Sequence, residues 1–135
     1  MKARIFSAVF ILTLGISCGG SSKPIALNTD WELTHMDGEV ISQKHKPPRL
    51  QFDLSKEKIS GFGGCNKFNG TVSLDGDSLQ IHNLVRTKMA CPSLFEENSF
   101  LAALESGNFG ISTQENRLTL KNSSHTLQFE MGEVD

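Results

Sequence analysis

The sequence has no cluster of basic residues, no apolar run long enough to cross a bilayer, and no spacing that marks a catalytic or metal centre. Each absence removes a class of function. Thirteen Lys and Arg stand against fifteen Asp and Glu, a formal charge of −2. Nucleic acid is a poor partner for such a chain, because that contact needs clustered cations to displace counterions. The apolar stretch Ile5–Ile16, interrupted by Ser7, Thr13 and Gly15, is shorter than the roughly 20 residues a spanning helix requires. The four histidines, His35, His45, His82 and His125, fall in four separate segments with no ligand spacing. No HExxH pair and no nucleophile–base set accompanies them. The expectation is a protein that is not an enzyme and carries no metal and no cofactor. The glycine-rich segment 59–70 lacks both the GxGxxG register and a Walker lysine, so it does not read as a phosphate cradle. Internal repeats and low-complexity tracts are also missing, and 135 residues leave room for one domain.

What is present begins with an export signal. Lys2 and Arg4 open the chain, the apolar stretch follows, and small residues flank Cys18. Leu14-Gly15-Ile16-Ser17-Cys18 resembles a lipobox, the bacterial signal for cleaving before a cysteine and acylating it, although Gly15 stands where Leu is usual. The reading is a signal peptide over 1–17, lipid on Cys18, a flexible linker through residue 26 built on Gly-Gly-Ser-Ser-Lys-Pro, and a folded domain over 27–133. A secreted protein that loses Cys18 with its signal is the alternative. Processing removes two cations and leaves 11 basic against 15 acidic residues, a formal −4. The expected location is the bacterial cell envelope, membrane-anchored through the lipid. If Cys18 is acylated, Cys65 and Cys91 remain as a candidate disulfide in an oxidising compartment. Two buried free thiols or half of a metal site are the alternatives.

From Leu27 onward the apolar pattern has period two and is cut by turn residues, which predicts short antiparallel strands. Trp31–Met36, Arg49–Leu54, Lys58–Phe62, Thr71–Leu74, Ser78–Ile81, Asn108–Thr113, Arg117–Lys121 and Thr126–Met131 all read this way, with a hairpin at Asp75-Gly76. Between Ser93 and Glu105 the period changes: Leu94, Phe95, Phe100, Leu101 and Leu104 recur at helical spacing. Ser93 and Glu96 form an expected capping box and Gly107 an expected stop. The fold class is mainly β: a small antiparallel, lipocalin-like barrel of about eight short strands with one α-helix, closed so that edges are protected. The Gly/Asn-rich segment 59–70 predicts sharp bends with positive φ at several positions.

Gly63-Gly64-Cys65-Asn66-Lys67-Phe68-Asn69-Gly70, Thr87-Lys88-Met89-Ala90-Cys91-Pro92 and Phe100-Leu101-Ala102-Ala103-Leu104 resemble the META domain family, also called HslJ-like. Trp31-Glu32-Leu33 at the start and Leu127-Gln128-Phe129 at the end fit the same pattern, so the resemblance spans about Leu27 to Met131; Val72 departs from it, standing where an aromatic residue is common. The resemblance implies a compact barrel-like fold with one helix, often on envelope lipoproteins, with links to stress. It implies no catalytic residues.

Arg86 and Lys88, on the segment leading to Cys91, are placed to lie near Lys67 across the expected crosslink. That would form a basic patch able to meet an anionic headgroup, a glycan or an envelope protein; solvated strand residues are the plainer reading. The functional expectation is a non-catalytic envelope lipoprotein that binds or stabilises another component under stress. A carrier holding a small ligand in the barrel interior is the alternative. The two differ in the core: Trp31, Phe52, Phe62, Phe68, Leu101 and Phe129 either fill it or line a cavity of about 300 Å³ or more.

Overall fold

The computed structural model describes residues 27–42 and 44–132; the expected signal peptide, Cys18 and the linker lie outside the described residues. Among these residues nine strands and one α-helix follow in chain order, with a single 3-10 turn at Leu54–Lys56: β1 Trp31–Met36, β2 Glu39–Val40, β3 Arg49–Asp53, β4 Lys58–Phe62, β5 Lys67–Asp75, β6 Ser78–Arg86, α1 Leu94–Glu105, β7 Asn108–Gln114, β8 Arg117–Lys121 and β9 Thr126–Met131. All pairings are antiparallel, and β1 pairs with β9 as well as with β3, which closes eight strands into a barrel. Closure removes the free edges that an open sheet of this size would expose. The ninth strand, β2, is a two-residue return across the Asp37-Gly38 hairpin, pairing Met36 with Glu39. It is too short to have left a periodic signal in the sequence.

Alternation decides which side chains face inward. Trp31 and Leu33, Leu50 and Phe52, Leu118 and Leu120, Leu127 and Phe129 are all buried at every second position. From outside the strand pattern, α1 adds Phe100, Leu101, Ala103 and Leu104 to the same core. Phe100 meets Phe68 of β5 edge-on at 6.0 Å between ring centroids and Phe129 of β9 at 6.3 Å. One helical side chain thus bridges two separate strands of the barrel, and the interior is filled by side chains. Phe62 is only half-buried, so it borders the core rather than filling it.

The helix departs from expectation in two places. The capping box is not formed: Ser93 Oγ instead donates to the Gly64 carbonyl at 3.1 Å, and Glu96 is exposed. Phe95 lies on the outer face with 81% of its surface exposed, because the buried stripe runs through positions 97, 100, 101 and 104. The glycine-rich segment also differs from the sequence reading. Within 59–70 only Gly64 has a positive φ, +114°. Its other glycines meet a need for space. A Cβ at Gly61 would lie 2.1 Å from the Arg49 carbonyl oxygen, and one at Gly70 would lie 2.7 Å from Leu84 Cδ2.

Candidate functional site

The most organised polar cluster lies where β4 turns into β5 and the start of α1 packs against that turn. Cys65 and Cys91 are disulfide-bonded, with Cα atoms 5.9 Å apart, so the thiol and metal alternatives do not hold for this pair. Beside the bond is Glu97, whose side chain is completely buried. Its Oε2 accepts the backbone N–H of Cys65 at 2.9 Å and that of Asn66, and its Oε1 accepts Asn66 Nδ2 at 2.7 Å. Arg86 Nη1 stands 3.5 Å from Oε1 and supplies the compensating charge. The same Arg86 nitrogen donates to Asn98 Oδ1 at 2.7 Å, one helical residue beyond Glu97.

Asn66 passes the connection on. Its Oδ1 accepts Thr87 Oγ1 at 2.8 Å and the Met89 N–H at 2.7 Å, while its Nδ2 also lies 3.2 Å from the Met89 carbonyl. Both ends of the amide are therefore committed, and their roles fix its orientation. Gly63 makes the seat for the carboxylate: a Cβ there would fall 2.8 Å from Glu97 Cγ and 2.9 Å from Oε2. Two segments distant in sequence, 63–66 and 87–91, are thus joined to each other by Asn66 and the disulfide, and the first is joined to helical Glu97 by charge-assisted hydrogen bonds.

Lys67, Arg86 and Lys88 are brought to this corner. Phe68 pairs with Arg86, and the Thr87 N–H donates to the Lys67 carbonyl at 3.1 Å. All three are exposed, and Arg86 is held against the helix by Glu97 and Asn98. Arg86 therefore neutralises a buried carboxylate, and the cations of the trio with no carboxylate contact shown are the two lysines.

Glu97 escaped the sequence reading, which assigned a role to its neighbour Glu96. A signal was available: position 97 precedes Phe100, Leu101 and Leu104 by three, four and seven residues, on the apolar stripe. A charge on that stripe must have a buried partner or cost several kcal/mol.

A second polar group joins two turns. Asp37, in the β1–β2 hairpin, accepts the Thr126 N–H at 2.7 Å, and its other oxygen lies 2.9 Å from His125 Nδ1. The hydrogen bond with His125, then that from Thr126, hold the Asp37 carboxyl below its usual range. Of the other histidines, His35 lies beside Thr34 Oγ1 at 3.1 Å, and His45 borders a recess of about 20 Å³ next to Gly64. Among the described residues no group of three or more His, Cys, Asp and Glu is placed to hold a metal ion. Two wider recesses, of about 630 Å³ along Gln114–Arg117 and about 560 Å³ around Asp37 and His125, lie on the outer surface and are lined by no core residue.

Geometry of this kind defines a small closed β-barrel domain with one packed helix and a crosslinked polar corner. The META domain model matches residues 23–133, and the chain belongs to the META domain family. Among solved structures, the chain is similar to a protein determined by NMR (TM-score 0.62, 29% identity, covering 78% of this chain and 90% of that one). It is also similar to a protein from Burkholderia xenovorans determined by NMR (TM-score 0.62, 28% identity, covering 78% and 82%). A DUF4847 family protein from Bacteroides vulgatus shares the fold at 16% identity (TM-score 0.61, covering 82% and 97%). Among curated proteins nothing matches.

Proposed function

We propose that this chain is a non-catalytic envelope lipoprotein, anchored through Cys18, whose barrel is a binding or stabilising module for another envelope component. The observation that carries the reading is how the buried polar groups are used. Asn66, Ser93 and Glu97 are the buried polar or charged residues of the described domain, and all three are spent on holding one corner. Trp31 is the remaining case, its indole N–H buried without a partner among aromatic and aliphatic neighbours. A catalytic group needs an unspent donor, acceptor or base facing a cleft, and this arrangement commits those it has to structure. The filled interior likewise supports a surface contact over a carrier of small ligands.

The test of the anchor is fractionation. Native protein should partition with membranes and carry a diacylglyceryl mass on Cys18, and Cys18→Ser should move it to the soluble fraction. A Cys18→Ser protein that remains membrane-bound with unchanged mass would refute the anchor. Crosslinking in stressed cells, followed by capture of the native protein, should return one recurring envelope partner. A reproducible enzymatic activity lost on a single substitution would overturn the non-catalytic reading.

A further inference from the structure

Among the described residues, three of the five exposed large apolar side chains, Val85, Met89 and Phe95, stand around the crosslinked corner. Met89 is placed there by its backbone bonds to Asn66. Val85 pairs with Asn69 on the outward side of β5, the side that also carries Lys67. Phe95 is one helical turn before Asn98, which binds Arg86. Nothing in the fold buries Phe95: it is 81% exposed, on the helix face opposite Glu97, Phe100, Leu101 and Leu104.

The charges around these side chains differ in sign from those of the domain as a whole. Lys67 and Lys88 are exposed beside Met89, and Lys46 borders the small recess that Gly64, Ser93 and Glu96 share. The nearby acids are Glu96 and the buried, neutralised Glu97. At the other end of β5, about 26 Å away at about 3.3 Å per residue, the β5–β6 hairpin carries Asp75 and Asp77. An acidic domain thus presents one rim where apolar side chains are ringed by lysines, the composition that suits an anionic lipid interface.

We propose that this rim docks on an anionic bilayer, with Phe95 and Met89 entering the headgroup boundary and Lys46, Lys67 and Lys88 meeting lipid phosphates. The inference rests on the envelope-lipoprotein reading for the bilayer's proximity, and the position of β1 fits it. Trp31 pairs with Leu50, Arg49 with Phe62, and Phe62 with Lys67, so β1 starts at the same end of the barrel as the rim. Three strand spacings separate them, about 14 Å around the wall. The stretch 18–26 can extend at most about 30 Å, so an anchor at Cys18 keeps this end near the membrane.

The experiment uses the full chain purified from membranes of the expressing bacterium, with its intact mass recorded. It is bound to vesicles of phosphatidylcholine alone or with about a third phosphatidylglycerol, and backbone hydrogen exchange is followed. With the anionic lipid, peptides covering 64–67 and 87–96 should exchange several-fold more slowly, while the Asp75–Ser78 turn should not change. High salt should weaken the protection. The double variant Met89→Asp, Phe95→Asp should lose it while keeping the native melting temperature, because both side chains are exposed. Equal exchange at the rim with and without phosphatidylglycerol, or protection that survives in the double variant, would overturn the docking face. A mass lacking acyl groups would remove the lipoprotein reading alone.

Discussion

Replacing Glu97 should cost more stability than any other single polar substitution in the domain, and the reason can be followed bond by bond. Glu97→Ala leaves the Cys65 and Asn66 N–H groups without their acceptor, and Asn66 Nδ2 keeps only the Met89 carbonyl. Each buried donor left unsatisfied costs about 1–3 kcal/mol. Arg86 loses its ion pair but its side chain is 42% exposed, so water recovers part of that charge. The total is about 3–5 kcal/mol, the range measured when one partner of a buried pair is removed, out of the 5–15 kcal/mol typical of a domain. For a chain of this size that corresponds to a fall of about 10 °C or more in melting temperature. Glu97→Gln keeps the shape but sets an NH₂ group against Asn66 Nδ2. Asn66 cannot turn to offer its oxygen, because Oδ1 already serves Thr87 and Met89. It should therefore also destabilise, by about 1–2 kcal/mol. Urea denaturation of the oxidised protein at neutral pH is the assay, with an unchanged m-value showing that the native state is the one affected. In a double-mutant cycle Glu97→Ala and Asn66→Ala should be strongly non-additive. A Glu97→Gln protein with the native midpoint, or a Glu97→Ala loss below about 1 kcal/mol, would refute the claim that this carboxylate holds the corner.

The disulfide closes a loop of 26 residues in sequence separation, so Cys65→Ser or Cys91→Ser should cost roughly 3–4 kcal/mol by loop entropy. The double variant should lose little more than either single, as calorimetry can check. Asp37 is held below its ordinary value of 3.8 mainly by its hydrogen bond with His125. A depressed folded value means that its contribution is present in full above about pH 4 and is lost as pH falls through the folded value. Asp37→Asn should therefore be less stable than native protein at neutral pH, with the gap closing below that point. Asp53, drawn down to about 2 by Lys56 and Ser55, should remain ionised further into acid. A gap that widens on acidification would contradict the assignment to Asp37.

Local pattern was enough to place the helix, most of the core and a part of each barrel strand, although β5 and β6 run further than Thr71–Leu74 and Ser78–Ile81, to Lys67–Asp75 and Ser78–Arg86. Period-two burial is a local property of each strand, so Leu118, Leu120, Leu127 and Phe129 could be placed inward without knowing their neighbours. The helix was legible for the same reason, through Phe100, Leu101 and Leu104, whereas Cys65 and Cys91 were one candidate pair among alternatives until the fold brought them together. What the glycines and charges were for depends on contacts between elements remote in sequence. Gly61, Gly63 and Gly70 meet neighbours that come from β3, α1 and β6, and no local pattern announces an approach from another element. Whether Arg86 is a solvated cation or the counterion of Glu97 likewise depends on where α1 lands against β6. Phe95 belonged to the helical period but faces outward, because it lies about half a turn from the buried stripe through Glu97, Phe100, Leu101 and Leu104. Periodicity fixes which residues share a face; the packing of elements remote in sequence fixes which face is covered.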